Sequence, residues 1–167
     1  DAEPASLTQG PMLGQVTDTT IRVWGRTSMP ATFEVRYGLS PGKLEFRSTP
    51  VITNFEHDHT GWVMLTKLQP DTRYHYRIYM GDLPQGHPGS FKTLPSDVQY
   101  RSEQYNPRGL FNFSFEIGSC ANQNPQHGIG HTLPTYSTML REIQDRVSFS
   151  IMNGDWLYEE QRMYPPE

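Results

Sequence analysis

The 167-residue chain contains one cysteine, Cys120. No disulfide can form within it, so whatever folds must hold by packing alone. A lone cysteine says little about compartment, because many exported bacterial proteins lack disulfides. Without context, its plainest reading is a small buried hydrophobe. No apolar stretch reaches the roughly 20 residues needed to cross a bilayer. Basic residues are scattered and the formal net charge is -4. Nothing therefore builds a phosphate-tracking stripe, and nucleic acid is not an expected partner. The opening DAEPASLTQGP has neither the charged nor the apolar region of a leader. That leaves two readings: a leader already removed, or a chain cut upstream.

What is present points to β structure. Hydrophobic residues make up 35% and aromatics 12%, with Gly 14 and Pro 14, a mixture that suits a turn-rich β protein. The chain is too aromatic and too low in charge to be disordered, and its length fits one or two small domains.

From Met12 to Thr93 short alternating runs are broken by turn residues. Thr20-Ile21-Arg22-Val23-Trp24 alternates with period two, as do Thr32 to Tyr37, Gly61 to Leu65 and Tyr74 to Tyr79. Between them lie Gly38-Leu39-Ser40-Pro41-Gly42, Leu68-Gln69-Pro70-Asp71 and Gly86-His87-Pro88-Gly89. This spacing predicts a sandwich. Leu68-Gln69-Pro70-Asp71-Thr72-Arg73-Tyr74 resembles the corner before strand F of fibronectin type III domains, where the tyrosine hydroxyl caps nearby backbone. Trp24 is then expected to supply the large central core residue.

Residues 95–108 (PSDVQYRSEQYNPR) lose the alternation and read as an ordered or semi-ordered connection. The expected organisation is a fibronectin-like sandwich over 1–95, a linker over 96–110 and a second element over 111–167. In the last, Phe111, Phe113, Phe115 and Ile117 alternate as a core strand that stops at Gly118-Ser119-Cys120. A polar loop follows, and Pro134 suits a helix first turn. Tyr136, Met139, Leu140, Ile143 and Val147 share one helix face. Val147, Phe149 and Ile151 then alternate up to Asn153-Gly154-Asp155. The pattern predicts one βαβ unit with parallel strands.

Ligands of open α/β sheets gather beyond the carboxyl ends of the strands. Cys120 ends the first strand of this unit and Asp155 ends the second, so parallel neighbours place both on one rim. That placement shifts Cys120 from core filler to candidate ligand. Gly154 allows a sharp turn, and Tyr158 lies close enough to aim a phenolate at the same ion. A carboxylate, a thiolate and a phenolate together suit trivalent iron better than magnesium. For a bare Gly-Asp pair, a helix cap would be the better reading; the combination with Cys120 and Tyr158 favours a metal.

Gly154-Asp155-Trp156-Leu157-Tyr158-Glu159 resembles the GDxxYE block of the PhoD-like alkaline phosphatase and phospholipase D family. Phe113 to Cys120 resembles the strand and SC turn that open the catalytic domain of that family. Gly10-Pro11-Met12-Leu13-Gly14 and Ile21-Arg22-Val23-Trp24 resemble the start of its N-terminal domain. Purple acid phosphatases pair a sandwich with a similar block, but carry aspartate where this chain has Cys120, and match less well.

The resemblance implies an exported metallophosphoesterase, secreted or periplasmic, that uses ferric iron and calcium. By that analogy Cys120 and Tyr158 bind iron, while Asp155 binds or bridges iron and calcium. The ions would polarise a phosphate ester and activate an oxygen nucleophile. Monoesters, diesters and phospholipids all remain open as substrates. The match is incomplete, because the family's Asn/His block and later histidines do not follow within these residues. Two parallel strands and one helix also leave sheet faces uncovered. The expectation is therefore the N-terminal part of such an enzyme, inactive alone, whose missing ligands could come from the remainder of the polypeptide as a second chain. The rival reading is a non-catalytic binding or structural module.

Several residues carry less. His57 and His59 sit in the sandwich segment and read as structural or solvated. His127 and His131 read as members of a surface loop, and Asn122 as a group that could orient a ligand.

Overall fold

The computed structural model describes residues 4–121 and 134–155. The chain divides into two compact units, Asp1–Leu110 and Phe111–Glu167. It is mainly β, a sandwich followed by a βαβ element.

The first unit stacks two antiparallel sheets. Strands β1 (Leu7–Gly14), β2 (Ile21–Thr27) and β6 (Thr60–Leu65) form one sheet in the order β1-β2-β6. In the other, β3 (Ala31–Gly38) pairs with β7 (Arg73–Met80), which pairs with β8 (Leu83–Lys92). The short strands β4 (Phe46–Arg47) and β5 (Val51–Thr53) also pair with β3. The core between the sheets holds Val23, Phe33, Val35, Leu65 and Ile78, each buried to 1% exposure or less. Tyr74, Tyr76 and Phe91 fill its far end, with Tyr74 stacked on Phe91.

The expected tyrosine corner is present. Tyr74 is 4% exposed, and its hydroxyl accepts the Gln69 backbone N–H at 2.9 Å. Beside it Thr93 Oγ1 donates to the Gln69 carbonyl at 2.6 Å, tying the corner to the end of β8.

Two expectations fail here for identifiable reasons. Trp24 is not the central core residue. Ile21 and Val23 point inward, so the period of two sends Trp24 to the outer face, half-buried opposite Trp62. There the Arg22 guanidinium lies 3.8 Å over the Trp62 ring. The Gly86 to Gly89 stretch is not a break between strands but part of β8. β8 ends the strand order of its sheet, where Pro84 and Pro88 cost no ladder hydrogen bond, and a register shift between Tyr76 and Ile78 accommodates Gly86 at φ +55°. At Gly89 a Cβ would lie 2.7 Å from the Tyr76 ring, so only glycine fits.

Residues 96–110 are ordered by local bonds. Gln99 Nε2 donates to Asp71 Oδ2 at 2.8 Å, and Asp71 is also paired with Lys92. Asn106 Nδ2 donates to the carbonyls of Tyr100 and Leu110, while its Oδ1 accepts the Leu110 N–H.

In the second unit β9 (Phe115–Gly118) and β10 (Phe149–Met152) pair in parallel, with Phe115 opposite Phe149 and Gly118 opposite Met152. Helix α1 (Pro134–Ile143) lies between them in sequence. Its apolar face, with Tyr136, Met139, Leu140 and Ile143, lines an open groove of about 450 Å³ together with Val147, Phe149 and Met152. Phe113 and Phe115, expected in a core, are 52% and 49% exposed. They lie on a two-stranded sheet, where they pack on each other and on Phe149 but are left about half exposed. No helix among the described residues is long and apolar enough to cross a membrane.

Candidate metal centre

The rim at the carboxyl ends of β9 and β10 is built by backbone bonds that continue past the strands. Asn153 N–H donates to the Gly118 carbonyl at 2.7 Å, and Ala121 N–H donates to the Asp155 carbonyl at 2.8 Å. These two bonds bring the segments 118–121 and 153–155 side by side. The chain turns sharply there, with Cys120 at φ 63°, Gly154 at φ 86° and Asp155 at φ 52°. Left-handed backbone at a residue other than glycine costs on the order of 1–3 kcal/mol, and such costs gather where a side chain must be aimed.

The side chains so aimed meet. Cys120 Sγ donates to Asp155 Oδ2 at 3.4 Å, and Ser119 Oγ lies 3.3 Å from the same sulfur. Cys120 is exposed, as is Asp155. Two ligands on one ion, with metal–sulfur near 2.3 Å and metal–oxygen near 2.1 Å, sit roughly 3.1–3.6 Å apart. The observed 3.4 Å separation lies inside that range, so the pair fits a shared cation. Thiolate with carboxylate also suits a transition metal better than magnesium. Among the described residues no three His, Cys, Asp or Glu side chains cluster as a ready-made site.

Of the residues singled out in the sequence, Cys120 and Asp155 are thus side by side. Tyr158, Asn122, His127 and His131 lie outside the described residues. His57 and His59 belong to the first unit, where Asn54 Oδ1 accepts the His57 N–H and the His59 carbonyl accepts the Thr27 N–H. Two further polar groups stand out only in three dimensions. One is Ser119, in contact with the sulfur. The other is Glu116, which accepts a short hydrogen bond from Ser150 Oγ on the neighbouring strand. A charged residue inside the apolar run Phe115-Glu116-Ile117 was the available sequence signal for the second.

Comparison with known proteins supports the fold. The chain is similar in structure to PhoD, with a TM-score of 0.65 at 16% identity over 88% of this chain and 27% of that one. That coverage exceeds what the sandwich alone could supply, and at this identity it establishes the fold. The chain spans only about a quarter of the length of that neighbour. The sensor domain of the anti-sigma factor RsgI4 from Pseudobacteroides cellulosolvens shares 15% identity at a TM-score of 0.45, covering 59% of this chain and 96% of that one. No curated protein sequence matches. A model of the domain of unknown function DUF7800 matches residues 4–95, more than half of the sequence. The chain therefore belongs to the DUF7800 family.

Proposed function

We propose that this chain is the N-terminal part of a PhoD-related, metal-dependent phosphoric-ester hydrolase that works outside the cytoplasm. The DUF7800 sandwich would serve as its scaffold, and 111–167 as the opening βαβ unit of its catalytic domain. The observation that carries the reading is the meeting of Cys120 Sγ and Asp155 Oδ2 at 3.4 Å on the rim of two parallel strands. The structural likeness to PhoD over most of the chain supports it.

In this reading Cys120 and Tyr158 would bind a ferric ion, and Asp155 would bind or bridge iron and calcium. The bound ions would supply Lewis-acid polarisation of a phosphate ester and an activated oxygen nucleophile. The protein's own part is geometric. The turns at Cys120 and Asp155 fix the two donors in place before an ion arrives, which lowers the ordering cost of binding.

The test is native mass spectrometry with metal analysis of the purified protein. The expected result is iron retained by the unsubstituted protein and lost in both Cys120→Ala and Asp155→Asn. Equal metal content in all three would overturn the reading. A parallel assay with an aryl phosphate and a bis-aryl phosphate is expected to show no turnover by the 167-residue chain alone. Robust turnover by that chain would mean that the donors beyond Cys120 and Asp155 lie within it.

A further inference from the structure

A sheet ends in strands whose outer N–H and C=O groups lack a neighbour, and folds blunt such edges with prolines, charges, bulges or brevity. All but one of the sandwich edges are blunted in this way. β1 carries Pro11 and two register shifts. β8 carries Pro84, Pro88 and a register shift. β4 and β5, on the far side of β3, are two and three residues long. β6 is different. Thr60-Gly61-Trp62-Val63-Met64-Leu65 has no proline and no charge, and it pairs with β2 in unbroken register along its whole length. Among the described residues no strand pairs with its other side. Gly25 on the central strand β2 is buried, whereas its partner Gly61 is half-buried, so the backbone of β6 reaches solvent. The neighbouring Trp62 is 51% exposed.

We propose that β6 is a self-association edge: a second copy of this chain lays its own β6 antiparallel against it, joining two three-stranded sheets into one. The inference goes beyond the hydrolase reading and does not depend on it. A row of backbone donors and acceptors is met in full by another extended strand, and a two-fold axis makes each copy the other's partner. Because opposed residues on antiparallel strands share a face, that axis sets one residue opposite itself. With Val63 in that place, Trp62 meets Met64 of the second copy, and the contact of ring with thioether forms twice. The flanks complement one another as well. The exposed Glu56 precedes β6 and the exposed Lys67 follows it. Antiparallel pairing therefore brings the acidic flank of each copy towards the basic flank of the other.

The experiment is analytical ultracentrifugation of the 167-residue protein from dilute to concentrated solution. The unsubstituted protein is expected to rise from 19.2 kDa towards twice that mass as it is concentrated. Trp62→Lys, a change that blunts the edge, is expected to weaken association about tenfold or more, because a two-fold interface counts it twice. Lys67→Glu and Glu56→Lys, both at exposed positions, are each expected to weaken it, and an equimolar mixture of the two to restore it. Circular dichroism of each variant separates a lost edge contact from a lost fold. The mass of one chain at every concentration would overturn the inference. So would association that Trp62→Lys leaves intact, since the contact would then lie on another surface, such as that of Phe113 and Phe115. A mixture that associates no better than its two components would overturn the antiparallel pairing.

Discussion

The two units of this protein divide labour in an unequal way. The first sets Phe33, Val35, Val23, Leu65 and Ile78 between two sheets at 1% exposure or less. Among the described residues of the second, Ala121 is the one buried apolar side chain, while Phe113, Ile117 and Leu140 are more than half exposed and Phe115 nearly half. Yet the second unit holds the paired thiol and carboxylate. A sandwich closes its core with its own two sheets. A parallel pair of strands needs cover on both faces to do the same. Folding stability and candidate chemistry therefore sit on different parts of one polypeptide, and substitutions should separate them.

The largest contrast lies between two phenylalanines. Phe33→Ala, at 1% exposure in the sandwich core, should cost about 3–5 kcal/mol in denaturant unfolding. Phe115→Ala, on the open face of β9, should cost less than about 1 kcal/mol. Equal losses would mean that the second unit has a core of its own.

The corner comes next. Tyr74→Phe keeps the ring stacked on Phe91 but strips the acceptor from the Gln69 N–H, for an expected loss of about 1–3 kcal/mol. A loss indistinguishable from zero would show that solvent or a neighbour takes over that bond.

A smaller effect depends on pH. The Lys92 ammonium, and then the Gln99 amide, hold the Asp71 carboxyl below its ordinary value of 3.8. The unfolded chain therefore takes up the proton first, and the contribution of this group is present at neutral pH. It fades as pH falls below about 4 and through the folded-state value. Lys92→Met should flatten the acid limb of the stability curve, as read by thermal unfolding at stepped pH. An acid limb as steep as before would assign it to other carboxylates, with Asp58 beside Arg26 the next to test.

The smallest expected stability change is at the rim. Cys120→Ser and Asp155→Asn, both at exposed positions, should move the unfolding free energy by no more than about 0.5 kcal/mol. The same substitutions should abolish iron retention. A large stability loss would recast the pair as structural.

Much of this arrangement was legible in the residues themselves. Alternation placed β2, β3, β6 and β7, and the Leu68 to Tyr74 run announced the corner, because both depend on neighbours along the chain. The parallel pairing of β9 with β10 followed from a strand, a helix and a strand of suitable lengths. That pairing in turn put Cys120 and Asp155 on a common rim, 35 residues apart in sequence. Where alternation was read without its parity, it misled. Trp24 alternates correctly with Val23 and for that reason faces outward. Likewise Pro84, Gly86, Pro88 and Gly89 suggest a turn, and only the end position in the strand order lets them lie within β8.

The sequence by itself determined a sandwich, a corner, a βαβ unit and two donors at strand ends, since each rests on local period or on short-range steric preference. The tertiary structure alone decided which face of each strand is core, because that depends on which sheet it meets. It alone decided that the Cys120 sulfur lies 3.4 Å from Asp155, because that distance depends on backbone bonds between segments far apart in the chain.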